Sequence, residues 1–362
     1  MIFLKIVVLI FIYNIEYDYS NIVYPVPFNK VYHDMSLHYV DFGKKNNQLP
    51  SYVITGFIPQ YKNHFSELLV MTGSSDNHAL GSFNVLYSFL LSDPYCSLIY
   101  IDLGLSSEFF NILSAHFETL GQIQAKMGSN GFLAYRKFNW KSFPSWMNLY
   151  TNTAQHGGYS WKSIPITDAF FEWKGLFSWQ DAGNVVTDGI SREVSFARQY
   201  GMYACRSAGT ISRWTYKDTR SFLSKNRLVK RNYAKDPNCA TGSLYFDYKH
   251  EYIHDLMMKF KQCVYTQKCV SPRGSNMKNH RQEQAVMSML INDYRIPHIL
   301  SKANDFFPAF RNEESDTTQI LYNLVKTMEQ LYHIRLSNRI YDYSKGSYKT
   351  TALKYTTRHL EK

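Results

Sequence analysis

The chain lacks the short signatures that most often announce an enzyme class. It has no G-x-x-x-x-G-K-[ST] loop, no G-x-G-x-x-G turn and no G-x-S-x-G elbow. Those absences argue against nucleotide triphosphatases, dinucleotide oxidoreductases and α/β-hydrolases. No Cys-x-x-Cys pair is present, so a zinc clip of that kind is excluded, and no Asn-x-Ser/Thr sequon occurs. The longest N-terminal apolar run, Ile6 to Tyr13, falls short of the roughly 20 residues of a membrane span and has the length of a signal-peptide core. Charge is modest at 19% of 362 residues, while aromatics reach 16% with 29 tyrosines. A composition of this kind folds around a sizeable core.

The net charge is +11, which favours anionic partners such as phosphates, acidic polysaccharides or membrane surfaces. Lysine and arginine are scattered, apart from the Lys225–Arg231 cluster and the Lys345–Lys362 region. No nucleic-acid-binding motif accompanies them, so nucleic acid is not an expected partner. The five cysteines, at 96, 205, 239, 263 and 269, fit an oxidising compartment with one left over. Cys263 and Cys269 are close enough in sequence to close a small loop.

Residues 1–20 read as a signal peptide or short signal anchor, with membrane anchoring through residues 2–13 left open. Residues 21–65, rich in Tyr, Asn and Pro, read as a stem or wrapping segment. From residue 66 the rhythm changes. Glu67–Met71 predicts a strand ending in Thr72-Gly73-Ser74, Asn77–Leu91 a helix, Ser97–Leu103 a second strand, and Glu108 to about Leu120 a helix capped by Ser106 or Ser107. Strands near 132–138 and at 176–179, a helix over 161–173 interrupted near Pro165, a helix over 192–199 and a late strand over 240–246 follow. Strand and helix alternating in this way predict an α/β domain over 66–300 with a mostly parallel sheet and flanking helices. The stripe from Ile320 to Tyr332 predicts an amphipathic helix, so residues 301–362 read as a helical appendage and a mobile basic tail.

Ligands of such sheets sit beyond the carboxyl ends of the strands. Those ends carry Thr72 and Gly73, Asp102-Leu103-Gly104, and Asp181-Ala182-Gly183-Asn184. A second concentration of polar groups, His280-Arg281-Gln282-Glu283-Gln284, opens an apolar helical pattern. Its bland reading is a solvated helix start with Asn279 as cap. His250-Glu251-Tyr252-Ile253-His254 also matches the H-E-x-x-H pattern of zinc hydrolases, with Glu283 the best available third ligand. Asp255 after the second histidine is a poor context for it.

Three blocks in order, Trp161-Lys162, Trp179-Gln180-Asp181-Ala182-Gly183, and Cys269, Pro272, Gly274, Ser275 with His280, Arg281 and Gln284, resemble a eukaryotic branch of the nucleotide-diphospho-sugar (GT-A) glycosyltransferases. The resemblance spans about residues 66 to 292. Ser163 stands where that branch has proline, Gly183 replaces a second acid, and Glu283 replaces Asp. The resemblance implies a GT-A-like α/β fold and transfer of a sugar from a nucleotide-sugar donor to a glycan, protein or lipid acceptor in the secretory pathway (Golgi or ER lumen) or outside the cell. Asp181 and Glu283 are then the expected catalytic pair. Thr72, Gly73, Trp161, Lys162, Asn184, Arg281 and Gln284 would serve the donor or substrate. Asp181 and His280 would hold a divalent cation, Mn2+ or Mg2+, against the diphosphate. A non-catalytic sugar-binding protein on a degenerate scaffold is the rival reading, supported by Gly183.

Overall fold

A computed structural model describes residues 52–53, 68–129, 131–150, 156–186 and 190–297, together with 321, 324–328, 330–332, 341–342 and 347–348. The expected signal segment, and the stem apart from two residues, lie outside the described residues.

The sheet starts from β1 (Tyr52–Val53) and β2 (Leu68–Ser74), the latter buried along its whole length. Helix α1 (Ala79–Ser92) leads to β3 (Ser97–Asp102), and α2 (Ser107–Lys126) to β4 (Leu133–Lys137). Ser106 caps α2 by accepting the Phe109 N–H at 3.4 Å. Helix α3 (Ser160–Trp173) runs through Pro165 without a break, against the expected interruption. It feeds β5 (Leu176–Gln180), then α4 (Ser191–Tyr200), β6 (Met202–Thr210), α5 (Lys217–Lys225) and β7 (Pro237–Asp247). Helices α6 (Glu251–Val264) and α7 (Gln282–Asp293) complete the domain.

The strand order is β1-β4-β3-β2-β5-β7-β6. Strands β4, β3, β2 and β5 run parallel, whereas β7 enters antiparallel between β5 and β6. Alternation along β2 splits the core between two faces. Leu69 and Met71 join Ile99, Phe177 and Trp179 in one cluster with residues of α3, α6 and α7. Leu68 and Val70 join Leu98, Tyr100 and Leu133 in the other, against α1 and α2. Gly73 is fixed by a close approach: a Cβ there would stand 2.6 Å from the Ile101 carbonyl oxygen. This is the α/β architecture, a mostly parallel sheet with flanking helices, that the sequence predicted.

The described part of the C-terminal region packs on the second cluster through Leu321, Val325, Met328 and Tyr332. Lys126 of α2 donates to the Tyr332 carbonyl at 2.5 Å. Beyond it Tyr341–Asp342 (β8) and Ser347–Tyr348 (β9) pair antiparallel, where the sequence suggested only a mobile tail. Cys263 and Cys269 form a disulfide across 5.3 Å between Cα atoms, while Cys96, Cys205 and Cys239 are buried outside it. Among the described residues, no helix is long and apolar enough to cross a membrane.

Candidate active site

β2 is the strand at which the chain turns from building one side of the sheet to the other, because β3 and β5 flank it. A ligand crevice belongs beyond its carboxyl end and that of β5. Asp181 follows β5 directly. Its backbone N–H donates to the Gly242 carbonyl at 2.7 Å, and its own carbonyl accepts from the Asn184 N–H at 3.1 Å. That closes a four-residue turn with Gly183 at φ +96°. The third position of such a turn needs a positive φ, which glycine takes without strain. The missing second acid thus has a conformational cause: the turn that presents Asp181 puts a glycine there.

Asn184 locks the same turn, donating to Gln180 Oε1 at 3.0 Å and to the Gly242 carbonyl at 2.7 Å. Asp181 Oδ1 accepts from the Trp179 indole at 2.7 Å and from Lys162 Nζ at 2.7 Å. Lys162 comes from α3, and its Nζ also lies 3.4 Å from Glu283 Oε1 on α7. Thr241 of β7 donates to that same Glu283 oxygen at 3.1 Å. Side-chain exposure separates the roles. Asp181 is 45% exposed, whereas Lys162 and Glu283 show only 5% and 7%. Asp181 is the mouth of the site; Lys162 and Glu283 are its floor.

Burial alone would lower the Lys162 pKa, but Asp181 and then Glu283 outweigh it and the ammonium is held above its ordinary value. Glu283 is pushed up, first by burial and further by Asp181, with Lys162 opposing. A buried carboxylate raised in this way is a stronger base than an ordinary one.

The other sequence-predicted residues divide. Thr72 and Gly73 lie at the end of β2, just past the Met71–Trp179 pairing, and the buried Thr72 hydroxyl has no partner among the described residues. Gln284 follows Glu283 and its N–H helps hold that carboxylate. Trp161 instead donates its indole to the His156 carbonyl at 3.1 Å. Arg281 lays its guanidinium 4.4 Å over the Trp214 ring. Both brace the scaffold in this arrangement.

His280, expected as a metal ligand, is a correction. It is fully buried, Nδ1 accepts the Tyr216 N–H at 3.2 Å, and Nε2 bonds the Val270 carbonyl at 2.9 Å. Burial drops its pKa to about 4, with backbone bonds to Val270 and Trp214 opposing. A neutral imidazole with both nitrogens in use has none left for a cation. Asn279 does not cap α7 either; its side chain closes the preceding turn onto Asn276 and Gly274.

The H-E-x-x-H segment also departs from expectation. His250 stands at the N-cap of α6 outside the helix proper, so the two histidines are not consecutive turns of one helix. Nε2 of His250 bonds the Arg198 carbonyl at 2.8 Å and Nε2 of His254 the Tyr248 carbonyl at 2.6 Å. Among the described residues no group of three or more His, Cys, Asp or Glu side chains gathers as a metal site.

A divalent cation does still have one donor. Asp181 Oδ1 is taken, but a Cβ on Gly242 would lie 3.2 Å from Oδ2, so the missing side chain leaves that oxygen room. One carboxylate oxygen is a thin protein contribution, yet cations at phosphate sites commonly take one or two carboxylates and draw the rest from phosphate and water. The residues fit a cation that arrives with a diphosphate and not one held by protein alone.

Sequence reasoning missed Thr241 and Gln282. Thr241 lies on a strand whose neighbour is set only by the fold. Gln282, with φ +43° and a buried side-chain nitrogen lacking a partner, gave no signal beyond its place in the polar block. Strained buried polar residues of this kind concentrate at functional sites.

The fold and site define an α/β protein with an acid–lysine–acid centre at the sheet's carboxyl edge. No protein-family model and no curated protein matches the chain. Solved structures do. WbbM, described as a bifunctional glycosyltransferase, shares 14% identity at TM-score 0.40, over 75% of this chain and 46% of that one. The chain therefore spans about 46% of WbbM's length. Core-mannan synthase A of Aspergillus fumigatus in its Mn/GDP form shares 9% at TM-score 0.41, covering 69% and 77%. The mannosyltransferase Ktr4p of S. cerevisiae in complex with GDP shares 8% at TM-score 0.37, covering 91% and 98%. Likenesses this distant carry no residue role across, and function has to be read from the site itself.

Proposed function

We propose that the protein transfers a sugar from a nucleotide-sugar donor to an acceptor hydroxyl, with Asp181 facing the donor and Glu283 the acceptor. The observation that carries this reading is Lys162. It brings carboxylates from two distant stretches of sequence to one ammonium, at 2.7 and 3.4 Å, at the ligand-binding edge of the sheet.

In the inverting form of the reaction the acceptor oxygen bonds to the anomeric carbon as the bond from that carbon to the diphosphate oxygen breaks. The electron pair leaves with the diphosphate, and the acceptor proton passes to the Glu283 carboxylate. Lys162 and Thr241 fix Glu283 in place and offset its charge. Two carboxylates and one ammonium leave a net negative site. A cation bound through Asp181 Oδ2 would supply the positive charge that a leaving diphosphate requires.

The buried disulfide supports folding in an oxidising compartment, such as the secretory lumen. The acceptor is a glycan, protein or lipid bearing a free hydroxyl. Gly183 favours a second reading, in which the same site binds sugars without transferring them. Calorimetry on the full chain against UDP- and GDP-sugars, with and without Mn2+, separates the two. Donor binding that Asp181→Ala abolishes, followed by release of the nucleoside diphosphate on adding acceptor, supports transfer. No binding of any donor by the wild type sinks it.

A further inference from the structure

The basic cluster Lys225–Arg231, which the transfer reading leaves unused, borders a cleft at the far end of α7. Glu283 lies in the first turn of that helix and Asp293 closes it, so the cleft lies about 15 Å along the axis from the acid–lysine–acid centre. Its volume is about 460 Å³, within the range of small-molecule sites. Lys230, Arg231 and Arg295 line it with Tyr233, Tyr252 and Tyr294.

The one acid in the lining, Asp293, is already spent. Its Oδ1 accepts the Lys230 backbone N–H at 2.7 Å and the Tyr233 hydroxyl at 2.6 Å, which ties the basic loop to the end of α7. The neighbouring Asp255 is spent as well, on Lys259 at 2.9 Å and on the Tyr294 hydroxyl. Arg231 stacks on the Tyr233 ring at 4.8 Å and reaches the Asp236 carboxylate at 4.0 Å. Lys230 and Arg295 enter no ion pair among the described residues. Three cations therefore face a cleft lined by a single acid.

The aromatic wall narrows the ligand class. Tyr252 is 39% exposed and leans on Tyr294, with ring centroids 6.4 Å apart at 21°. A flat base inserted between two rings needs about 7 Å, twice the contact distance of carbon atoms near 3.5 Å. The pair is thus a shelf and not a slot. Such a shelf suits the apolar face of a sugar ring, and guanidinium and ammonium groups beside it suit carboxylate or sulfate. We propose that this cleft is a second binding site, for a saccharide that carries carboxylate or sulfate groups. It stands independently of the transfer reading.

Calorimetry with the full chain tests it, using a sulfated chondroitin tetrasaccharide, neutral cellotetraose, inorganic sulfate and a short single-stranded DNA as separate probes. The sulfated tetrasaccharide should bind, and the Lys230→Ser, Arg231→Ser double variant should weaken it about tenfold or more. Tyr252→Ala should weaken it about threefold to tenfold, while Asp181→Asn leaves it unchanged. The three substituted side chains are exposed, so these variants keep the fold. Failure of the tetrasaccharide to bind, equal binding of cellotetraose, tighter binding of the DNA, or indifference to Tyr252→Ala would each overturn the proposal. Sulfate alone binding as tightly as the tetrasaccharide would do so too.

Discussion

Two helices of this molecule carry a histidine and a glutamate near their starts, and the two come to opposite ends. At the start of α6, Glu251 is exposed and the imidazoles of His250 and His254 bond backbone carbonyls. At the start of α7, Glu283 is buried, meets the ammonium of Lys162 and shares a centre with Asp181. The sequence advertised the first through a well-known metal pattern and the second through a looser polar block. What separates them is the partner that each glutamate receives. A carboxylate left in water costs nothing and does little, whereas a buried one must have a charge and hydrogen bonds that hold it, and those define its chemistry.

The contrast is sharpest at Lys162. Replacing it in Lys162→Met strands one buried carboxylate beside a half-exposed one, so thermal or denaturant unfolding should show a loss of about 3–5 kcal/mol. Donor binding should fall with it. Lys162→Arg should restore part of both, and a neutral variant as stable as wild type would break the comparison. Next in size, Glu283→Gln should cut sugar transfer by about 10²–10⁴, whereas Glu251→Gln should leave it unchanged. Because burial raises the Glu283 pKa, the base is lost as pH falls. Turnover should therefore rise with pH through a midpoint above the usual carboxylate range and then level off, and Glu283→Gln should remove that limb.

His280 gives a smaller, stability-based test. Its folded pKa of about 4 lies below the ordinary value of 6.5, so the unfolded chain binds the proton first. The stabilising contribution is complete above about pH 6.5 and is lost as pH falls towards 4. The slope should be about 1.4 kcal/mol per pH unit, and His280→Gln should flatten it. Removing the Cys263–Cys269 bridge with paired serines should cost about 2 kcal/mol, as expected for so short a loop. The smallest effect belongs to α6: His250→Ala and His254→Ala should leave metal content unchanged by mass spectrometry. Stoichiometric zinc in wild type, lost in either variant, would reverse the comparison between the two helices.

Much of the sheet was legible in the chain. The runs at Leu68–Ser74, Ser97–Asp102 and Leu176–Gln180 are apolar because both faces of the sheet are covered. Asp181 could be placed at a strand's end from its neighbours alone. β6, Met202–Thr210, could not: its outer half is partly exposed, and it exists as a strand because β7 pairs with it through an irregular register. Its composition has no strong strand signal. Pro165 was expected to interrupt α3, but the helix closes around it, since core packing outweighs one lost backbone bond.

By itself, then, the sequence determined the alternation of strand and helix, the covered sheet, the glycine turn after Asp181 and the presence of acids and bases in two blocks. Those are local properties, set by hydrophobic pattern and backbone conformation within a few residues. Tertiary structure decided which charges meet. It sent Lys162 between Asp181 and Glu283, used His280 to satisfy two backbone groups, and gathered Lys230, Arg231 and Arg295 around the tyrosines of one cleft. The reason is physical. Electrostatic interaction depends on separation in space and on burial, and neither is written in the spacing of residues along the chain.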